Sequence, residues 1–355
     1  MPACPPWADS APVTDVKRLL ALAGAGCVFA VALPASAASD LEAESFRGSD
    51  VSSSVWVAGF GACLTAGTDP ASLPVPGCDL DDPDATGDGV LSLTDTSPFT
   101  TGWLLHDREL PTVAGLDVTF TMSQWGGSDA DGISFFVTKG SQPLVNLGGG
   151  GGRLGYAPGS GDGLPHALLG IGFDALGNYS NSVGGSGCEN APLQPGLAPD
   201  WVVVRGPGHQ RAGYCLLGGT HVAPLGFILS GSYWDEGAEE WVPGTRAGAA
   251  IDVRVRIDAP DEPTPGVHVS LDGVPVLSVD LPAEYLAEPT IKFGFAGSNG
   301  QQYNNHEIWD FGVTTIGTLP ATGASPGSVL VWSLLVLGAG AAVMFAGNRR
   351  RRTVA

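Results

Sequence analysis

The chain has 355 residues, of which 53 are glycine, 28 are proline and only 15% are charged, and its formal net charge is −20 at pH 7. Abundant glycine and proline without long helical periodicity are typical of an all-β fold with many turns. The acidity, without any basic stripe, argues against nucleic acid or an anionic lipid surface as the partner.

The N-terminal residues 1–37 are typical of an export signal. Lys17 and Arg18 begin a charged region, residues 19–33 are apolar, and the Ala-Ser-Ala triplet at 35–37 forms a cleavage site. The residues before Lys17 are rich in proline, which a mis-assigned start codon would explain. An uncleaved anchor is the alternative, and the small residues at 35–37 favour cleavage. The sequence therefore predicts a secreted protein.

Export determines how the cysteines are interpreted. Four remain after removal of the signal: Cys63, Cys78, Cys188 and Cys215. An even number in an oxidising compartment predicts two disulfides. Of the three connectivities, we favour Cys63 with Cys78 and Cys188 with Cys215, because each pair closes one local excursion between strands. A zinc site is the alternative, but no C-x-x-C spacing or nearby histidine pair supports it.

The first half of the chain contains short segments with strand character. Residues 54–60, 90–94 and 116–122 are predicted strands, and the last alternates between apolar and polar residues. Residues 79–88 are rich in aspartate and begin like a calcium-binding loop. They lack the closing glutamate and the flanking helices of an EF-hand, so we predict a solvated acidic loop.

The second half is more regular. Residues 133–137 form an apolar, aromatic run that predicts a strand buried on both faces, and residues 167–173 and 201–205 are similar. Residues 251–258 alternate between apolar and charged side chains. Residues 267–279 read as a hairpin whose Asp-Gly pair suits a type I′ turn. No helical stretches separate these strands, which argues against a parallel α/β sheet.

Five short motifs resemble those of the L-type, legume-like lectins. In chain order they are ADGISFF at 130–136, GGRLG at 151–155, GFDALGN at 172–178, IKFGFAGS at 291–298 and HEIWDF at 306–311. Their order matches that of the family through most of the second half. The resemblance implies a concanavalin A-like, jelly-roll antiparallel β-sandwich over residues 38–317 and a carbohydrate-binding function at the cell surface.

The resemblance also implies a sugar site. Asp131 would accept hydrogen bonds from two sugar hydroxyls, a backbone N–H of Gly151 or Gly152 would donate one, and the Asn178 amide would donate another. The peptide bond before Asp131 is cis in the family. An aromatic side chain would stack on the sugar, and the candidates are Trp125, Tyr156, Tyr179 and Trp234. The alternative is that a strand-end aspartate, such as Asp174, and the turn asparagine only satisfy backbone groups of their own loops.

The family's metal ions are implied only in part. Gly172 stands where the manganese site needs a glutamate, so the resemblance predicts that manganese binding is lost. The calcium ligands that the chain retains are Asp174, the Leu176 carbonyl and Asn178. A second carboxylate is not evident, and Asp200 or Glu189 would supply one only if the loop folds back.

Two other functions compete with sugar binding. A glycoside hydrolase needs two carboxylates facing one cleft, and no strand carries a pattern such as E-x-D-x-E. The acidic residues 236, 239 and 240 lie in a loop-like stretch, and no G-x-S-x-G elbow is present, so we do not predict an enzyme. The stronger competitor is an adhesin or structural surface module that keeps the sandwich and binds protein.

The C-terminal residues 318–355 resemble a cell-wall sorting signal of Gram-positive surface proteins. The motif LPxTG is followed by the apolar span 329–345 and by four arginines at 349–352; its residues are Leu319, Pro320, Ala321, Thr322 and Gly323. The span would hold the precursor in the membrane and the arginines would remain inside. The resemblance implies sortase and peptidoglycan as partners and the cell wall as the final location.

Overall fold

The computed structural model describes residues 38–144, 146–181, 184–188 and 196–319. The first strands are β1 (Asp40–Glu44), β2 (Trp56–Gly59), β3 (Cys63–Leu64), β4 (Leu91–Thr94), β5 (Thr101–Pro111), β6 (Leu116–Trp125), β7 (Gly132–Lys139), β8 (Ala167–Asp174) and β9 (Trp201–Arg205). The others are β10 (Gly208–His209), β11 (Ala212–Gly213), β12 (Leu216–His221), β13 (Tyr233–Asp235), β14 (Glu240–Val242), β15 (Ile251–Ile257), β16 (Gly266–Leu271), β17 (Val274–Asp280), β18 (Thr290–Ser298) and β19 (Asn305–Thr315). Short helical turns are Gly151–Arg153, Ala223–Leu225 and α1 (Ala283–Leu286).

The strands form two large antiparallel sheets. One has the order β17-β16-β15-β6-β19-β4-β3, with β1 beside β19. The other has the order β11-β10-β8-β7-β18-β5-β2, with β9 beside β8 and β12 beside β9. The prediction of an all-β, antiparallel sandwich is confirmed. A separate hairpin, β13-β14, lies outside both sheets.

The main hydrophobic core lies between the two sheets. On β15 the apolar residues are buried and the charged ones exposed, in strict alternation, because only one face of this strand meets the core. β7 and β8 are instead buried along almost their whole length. A second apolar cluster covers their other face and includes Leu154, Tyr156 and Tyr179 from the loops. The prediction that residues 133–137 are buried on both faces is therefore confirmed.

Several local predictions are also confirmed. Disulfides join Cys63 to Cys78 and Cys188 to Cys215. Asp272 and Gly273 connect β16 to β17 with φ values of 46° and 77°, as a type I′ turn requires. The acidic residues 79–88 are mostly exposed to solvent, and Asp84 pairs with Arg246 at 2.8 Å.

Both terminal predictions fall largely outside the residues that the structure describes. The export signal at 1–37 and residues 320–355 of the sorting signal are not described. Within the described ranges, no helix is long and apolar enough to cross a membrane.

Candidate functional site

The site forms where three antiparallel neighbours begin or end. β7 lies between β8 and β18, so its first residues lie beside the last residues of both. The N–H of Asp131 donates to the Ser298 carbonyl at 3.1 Å, and its own carbonyl accepts the Ala175 N–H at 3.1 Å. The Ala130–Asp131 peptide bond is cis, as the resemblance implied. These bonds position the Asp131 side chain at the junction of three loops.

The structure brings the four predicted sugar-binding residues together. A Cβ at Gly151 would lie 3.7 Å from Oδ2 of Asp131. A Cβ at Gly152 would lie 2.2 Å from Cβ of Asn178, a distance that no side chain tolerates. Glycine at 152 is therefore required for this loop to approach the Asn178 loop. The sequence prediction located this junction, although proximity alone does not assign a role to each residue.

The Asp131 carboxylate is almost completely buried and incompletely satisfied. Asp131 is 2% exposed, and its Oδ2 has no hydrogen-bond partner among the described residues. Burial raises the pKa of Asp131 to about 6, while the Asn178 amide, the Gly300 N–H and Arg153 act to lower it. Most buried polar atoms in folded proteins are paired. Among the described residues, eight buried side-chain N or O atoms lack a partner, and Oδ2 of Asp131 is the one that belongs to a carboxylate.

Asp174, on the neighbouring strand end, is fully satisfied by its own loop. Its Oδ1 accepts the Gly177 N–H at 2.8 Å, and its Oδ2 accepts both the N–H and the hydroxyl of Ser180 at 2.6 Å. Burial raises the pKa of Asp174 to about 7, although these donors act to lower it. This arrangement is the loop-capping role that the sequence offered as the alternative, and it fixes the turn that carries Asn178.

Arg205 contacts the loop that carries Asn178 from the other side, and the sequence did not predict this role. It is 1% exposed, and its guanidinium donates to the carbonyls of Tyr179, Asn181 and Tyr214 at 2.6–3.1 Å. Its guanidinium also lies 4.9 Å from the ring centroid of Tyr179. Burial lowers the pKa of Arg205. The sequence signal that could have identified Arg205 is a cationic residue directly after the apolar run 201–204.

The arrangement around Asp174 does not fit the implied calcium ion. Both carboxylate oxygens already accept hydrogen bonds from N–H and O–H donors of the chain's own loop, whereas Ca²⁺ needs carboxylate oxygens as ligands. Asp200, one of the two proposed second carboxylates, accepts the Leu229 N–H at 2.7 Å. The other, Glu189, lies outside the described residues. Among the described residues, no three His, Cys, Asp or Glu side chains are grouped as metal ligands.

The position of the family's manganese-binding glutamate is occupied by other atoms. A Cβ at Gly172 would lie 2.4 Å from the ring of Tyr179. That ring fills the space into which a glutamate would project from β8. The substitution by glycine is therefore coupled to the packing of Tyr179, a residue of the second apolar cluster.

The structure corrects two of the four predicted stacking aromatics, Tyr156 and Tyr179, and leaves Trp125 half-buried. Tyr156 and Tyr179 are fully buried, and their hydroxyls donate to the carbonyls of Gly206 and Gly170. Trp125 donates from Nε1 to Glu307, and the guanidinium of Arg246 lies 5.8 Å from its ring centroid. The two tyrosines lie in a loop-rich segment but belong to the second apolar cluster, because the loops cover the sheet.

Trp234 is the one candidate of the four with an exposed ring, at 49%. It lies on the β13-β14 hairpin and meets Trp241 edge-on, with ring centroids 6.0 Å apart. The root of this hairpin reaches the site through Ser232, whose hydroxyl donates to Asp129 at 2.5 Å.

Comparisons with known proteins place lectins among the structural neighbours. No family model matches the chain, and no curated protein matches it. Lectin I-B4 from Griffonia simplicifolia, in its metal-free form, is 15% identical, with 77% of this chain and 98% of that chain covered and a TM-score of 0.45. The Lotus tetragonolobus seed lectin is 13% identical, with coverages of 79% and 100% and a TM-score of 0.46.

The exoplasmic/lumenal domain of VIP36, in a form with Ca²⁺ and Man3GlcNAc bound, is a further neighbour. It is 13% identical, with coverages of 77% and 91% and a TM-score of 0.45. Likeness at this level carries no argument about ligands or metals. The chain is a nearly all-β antiparallel sandwich with L-type lectin domains among its structural neighbours.

Proposed function

We propose that this end of the sandwich binds a glycan. Asp131 accepts hydrogen bonds from two sugar hydroxyls, the Gly151 and Gly152 backbone donates one, and Asn178 donates through its amide. The proposal depends on one observation: a buried carboxylate oxygen of Asp131 lacks a partner in the part of the chain that the structure describes, although it adjoins Gly151 and Gly300. Leaving such an oxygen unpaired costs free energy, and ligand hydroxyls would recover it.

Ligand entry requires movement of the wall over the carboxylate. A Cβ at Gly300 would lie 2.8 Å from Oδ2 of Asp131, so the Gly300 backbone passes close to this oxygen. Because Gly151 and Gly300 carry no side chains, a small shift of either segment exposes the acceptor. Binding residues are commonly found on mobile loops that a rigid β-scaffold positions.

A glycan array with the purified full chain and Asp131→Asn tests the proposal. The variant keeps the side-chain volume and removes the charge, so binding should weaken about ten- to a hundredfold, as expected for the loss of a charge-assisted acceptor. Asp81→Asn is the matched control, because Asp81 is an exposed acid in the acidic loop. Unchanged binding by Asp131→Asn would place the site elsewhere. A folded wild-type protein that binds no glycan would favour the protein-binding adhesin.

We further propose that the chain is exported and anchored to the cell wall. The sequence order of LPATG at 319–323, the apolar span 329–345 and the arginines at 349–352 supports this location. Sortase would cut between Thr322 and Gly323 and join Thr322 to peptidoglycan. Thr322→Ala should leave the protein in the membrane fraction on cell fractionation. Wall-linked protein from that variant would contradict the proposal.

A further inference from the structure

A groove of about 1050 Å³ adjoins the Asp131 site. Gly148 to Gly150 line it and lead directly into Gly151, so the groove and the proposed sugar site share one loop. Its volume lies at the upper end of the range of about 300–1,000 Å³ for small-molecule sites. A single sugar would occupy only a small part of it.

Two phenylalanines on the groove wall combine exposure with an unfavourable backbone conformation. Phe60 is 72% exposed with φ of 57°, and Phe99 is 77% exposed with φ of 58°. L-residues other than glycine, asparagine and aspartate rarely adopt the left-handed conformation, and a bulky residue there is an outlier. Neither exposed ring gains much from burial. A strained backbone that carries an exposed ring is expected where a ligand binds the side chain.

The turn that carries Phe99 is fixed by a buried side chain. Asn299 is 1% exposed, and its Nδ2 donates to the carbonyls of Asp95 at 2.7 Å and Ser97 at 3.0 Å. The Phe99 N–H donates to the Gly300 carbonyl at 2.7 Å. Gly300 also passes over the Asp131 carboxylate. One short segment thus holds Phe99 in a defined position relative to Asp131.

The other lining residues indicate an uncharged, hydroxyl-rich ligand. No Lys or Arg is among the described residues that line the groove, and its carboxylate is that of Asp162. Gln142 and Asn146 supply amides that both donate and accept, and the Gly148–Gly150 stretch presents bare backbone. A ligand with alternating apolar faces and hydroxyls suits two exposed rings between such groups.

We infer that this groove binds a neutral oligosaccharide of several sugars, stacked on Phe99 and Phe60, whose terminal sugar occupies the Asp131 site. The inference depends on the proposed glycan-binding function and specifies its ligand class. Phe99 takes the stacking role for which the sequence offered other aromatics. Acidic oligosaccharides are disfavoured, since the described residues of the groove include Asp162 and no Lys or Arg. The imidazoles among them are those of His166 and His209, and burial lowers the pKa of His166.

Isothermal titration calorimetry with the purified full chain tests the inference. The probes are cello-, malto-, manno- and chito-oligosaccharides of one to six sugars, with oligogalacturonides as the acidic comparison. In the series that binds, affinity should rise with chain length by at least about tenfold, which corresponds to about 1.4 kcal/mol. Phe99→Ala should remove about tenfold for the longer probes and leave the monosaccharide unaffected. Phe99→Tyr should retain the gain.

Val274→Ala is the matched control, because Val274 is an exposed apolar residue on the opposite sheet. An affinity that does not depend on chain length would contradict oligosaccharide binding in the groove, and so would an equal loss of affinity for one and six sugars in Phe99→Ala. Either result would leave Asp131-dependent monosaccharide binding intact. If affinity rises with chain length and is unchanged by Asp131→Asn, the proposed sugar site at Asp131 is contradicted instead. Failure of every neutral series, or binding of the oligogalacturonides alone, would overturn the inference.

Discussion

Asp174 and Asp131 occupy adjacent positions at the ends of neighbouring strands, and both are buried, but only one is satisfied. Asp174 receives hydrogen bonds from Gly177 and Ser180. Asp131 leaves Oδ2 without a partner. Desolvation raises the pKa of both carboxyls. The comparison separates two buried acids: Asp174 organises a loop, and Asp131 leaves an acceptor that we propose a ligand uses.

Asp174→Ala is expected to have the largest effect on stability. It removes the acceptor for two N–H groups and one hydroxyl that have no other route to solvent, so we expect a loss of about 2–4 kcal/mol in the free energy of unfolding. Urea denaturation of the full chain measures this loss. Asp131→Asn is the control and should cost little or nothing. Equal costs for the two variants would show that Asp131 is also a structural acid.

The pH dependence of stability should reveal both carboxyls. Their folded pKa values, about 6 for Asp131 and about 7 for Asp174, lie above the ordinary value of 3.8. The folded state therefore binds more protons, and the contribution of these groups to stability is present below pH 3.8 and lost as pH rises through 6 and 7. Comparing wild type with Asp131→Asn from pH 4 to 8 isolates one carboxyl. The difference should reach about 1–3 kcal/mol in favour of the variant at pH 8.

Glycan affinity should depend on pH in the opposite direction. Since the proposed acceptor is the ionised Asp131, whose pKa is about 6, affinity should fall as pH drops through 6. Between pH 7.5 and 5 we expect about a tenfold loss, as protonation removes the charge that strengthens the hydrogen bonds. Titration calorimetry at several pH values measures it. Asp131→Asn should show weak affinity without this step, and a step that survives the variant would assign it to another group.

Phe99→Gly should separate the contribution of Phe99 to the stability of the fold from its contribution to oligosaccharide binding. Glycine adopts φ of 58° without strain, and the ring that it removes is 77% exposed. We expect the free energy of unfolding to be unchanged or to rise by up to about 1 kcal/mol, while binding of longer oligosaccharides weakens. Phe99→Ala keeps the strain and serves as the control. A loss of stability in the glycine variant would mean that the ring supports the fold.

Chelation is expected to have the smallest effect. Because Asp174 is already satisfied by Gly177 and Ser180, EDTA should leave glycan affinity and thermal stability unchanged. Calorimetry with and without EDTA, followed by added calcium, makes the measurement. Loss of binding on chelation and recovery with calcium would show that Ser180 turns away from Asp174 to admit the ion.

Local patterns predicted the strands and the disulfides well. Residues 251–257 alternate between apolar and charged side chains because one face of that strand is buried. Residues 133–137 are all apolar or small because both faces of theirs are buried. The resemblance to lectin motifs located Asp131 and Asn178 at one junction. Arg205, Asn299 and Phe99 were not predicted, because their partners lie on other elements and no local pattern marks them.

The sequence by itself determined the fold class, the pairing of cysteines and the order of the loops that meet at the site. Tertiary structure decided which aromatics are exposed and which acid is satisfied. Tyr156 and Tyr179 are buried because loops pack over β7 and β8, whereas Phe99 is exposed because Asn299 holds its turn outward. These outcomes depend on long-range packing and hydrogen bonds, whose partners are far apart in the chain.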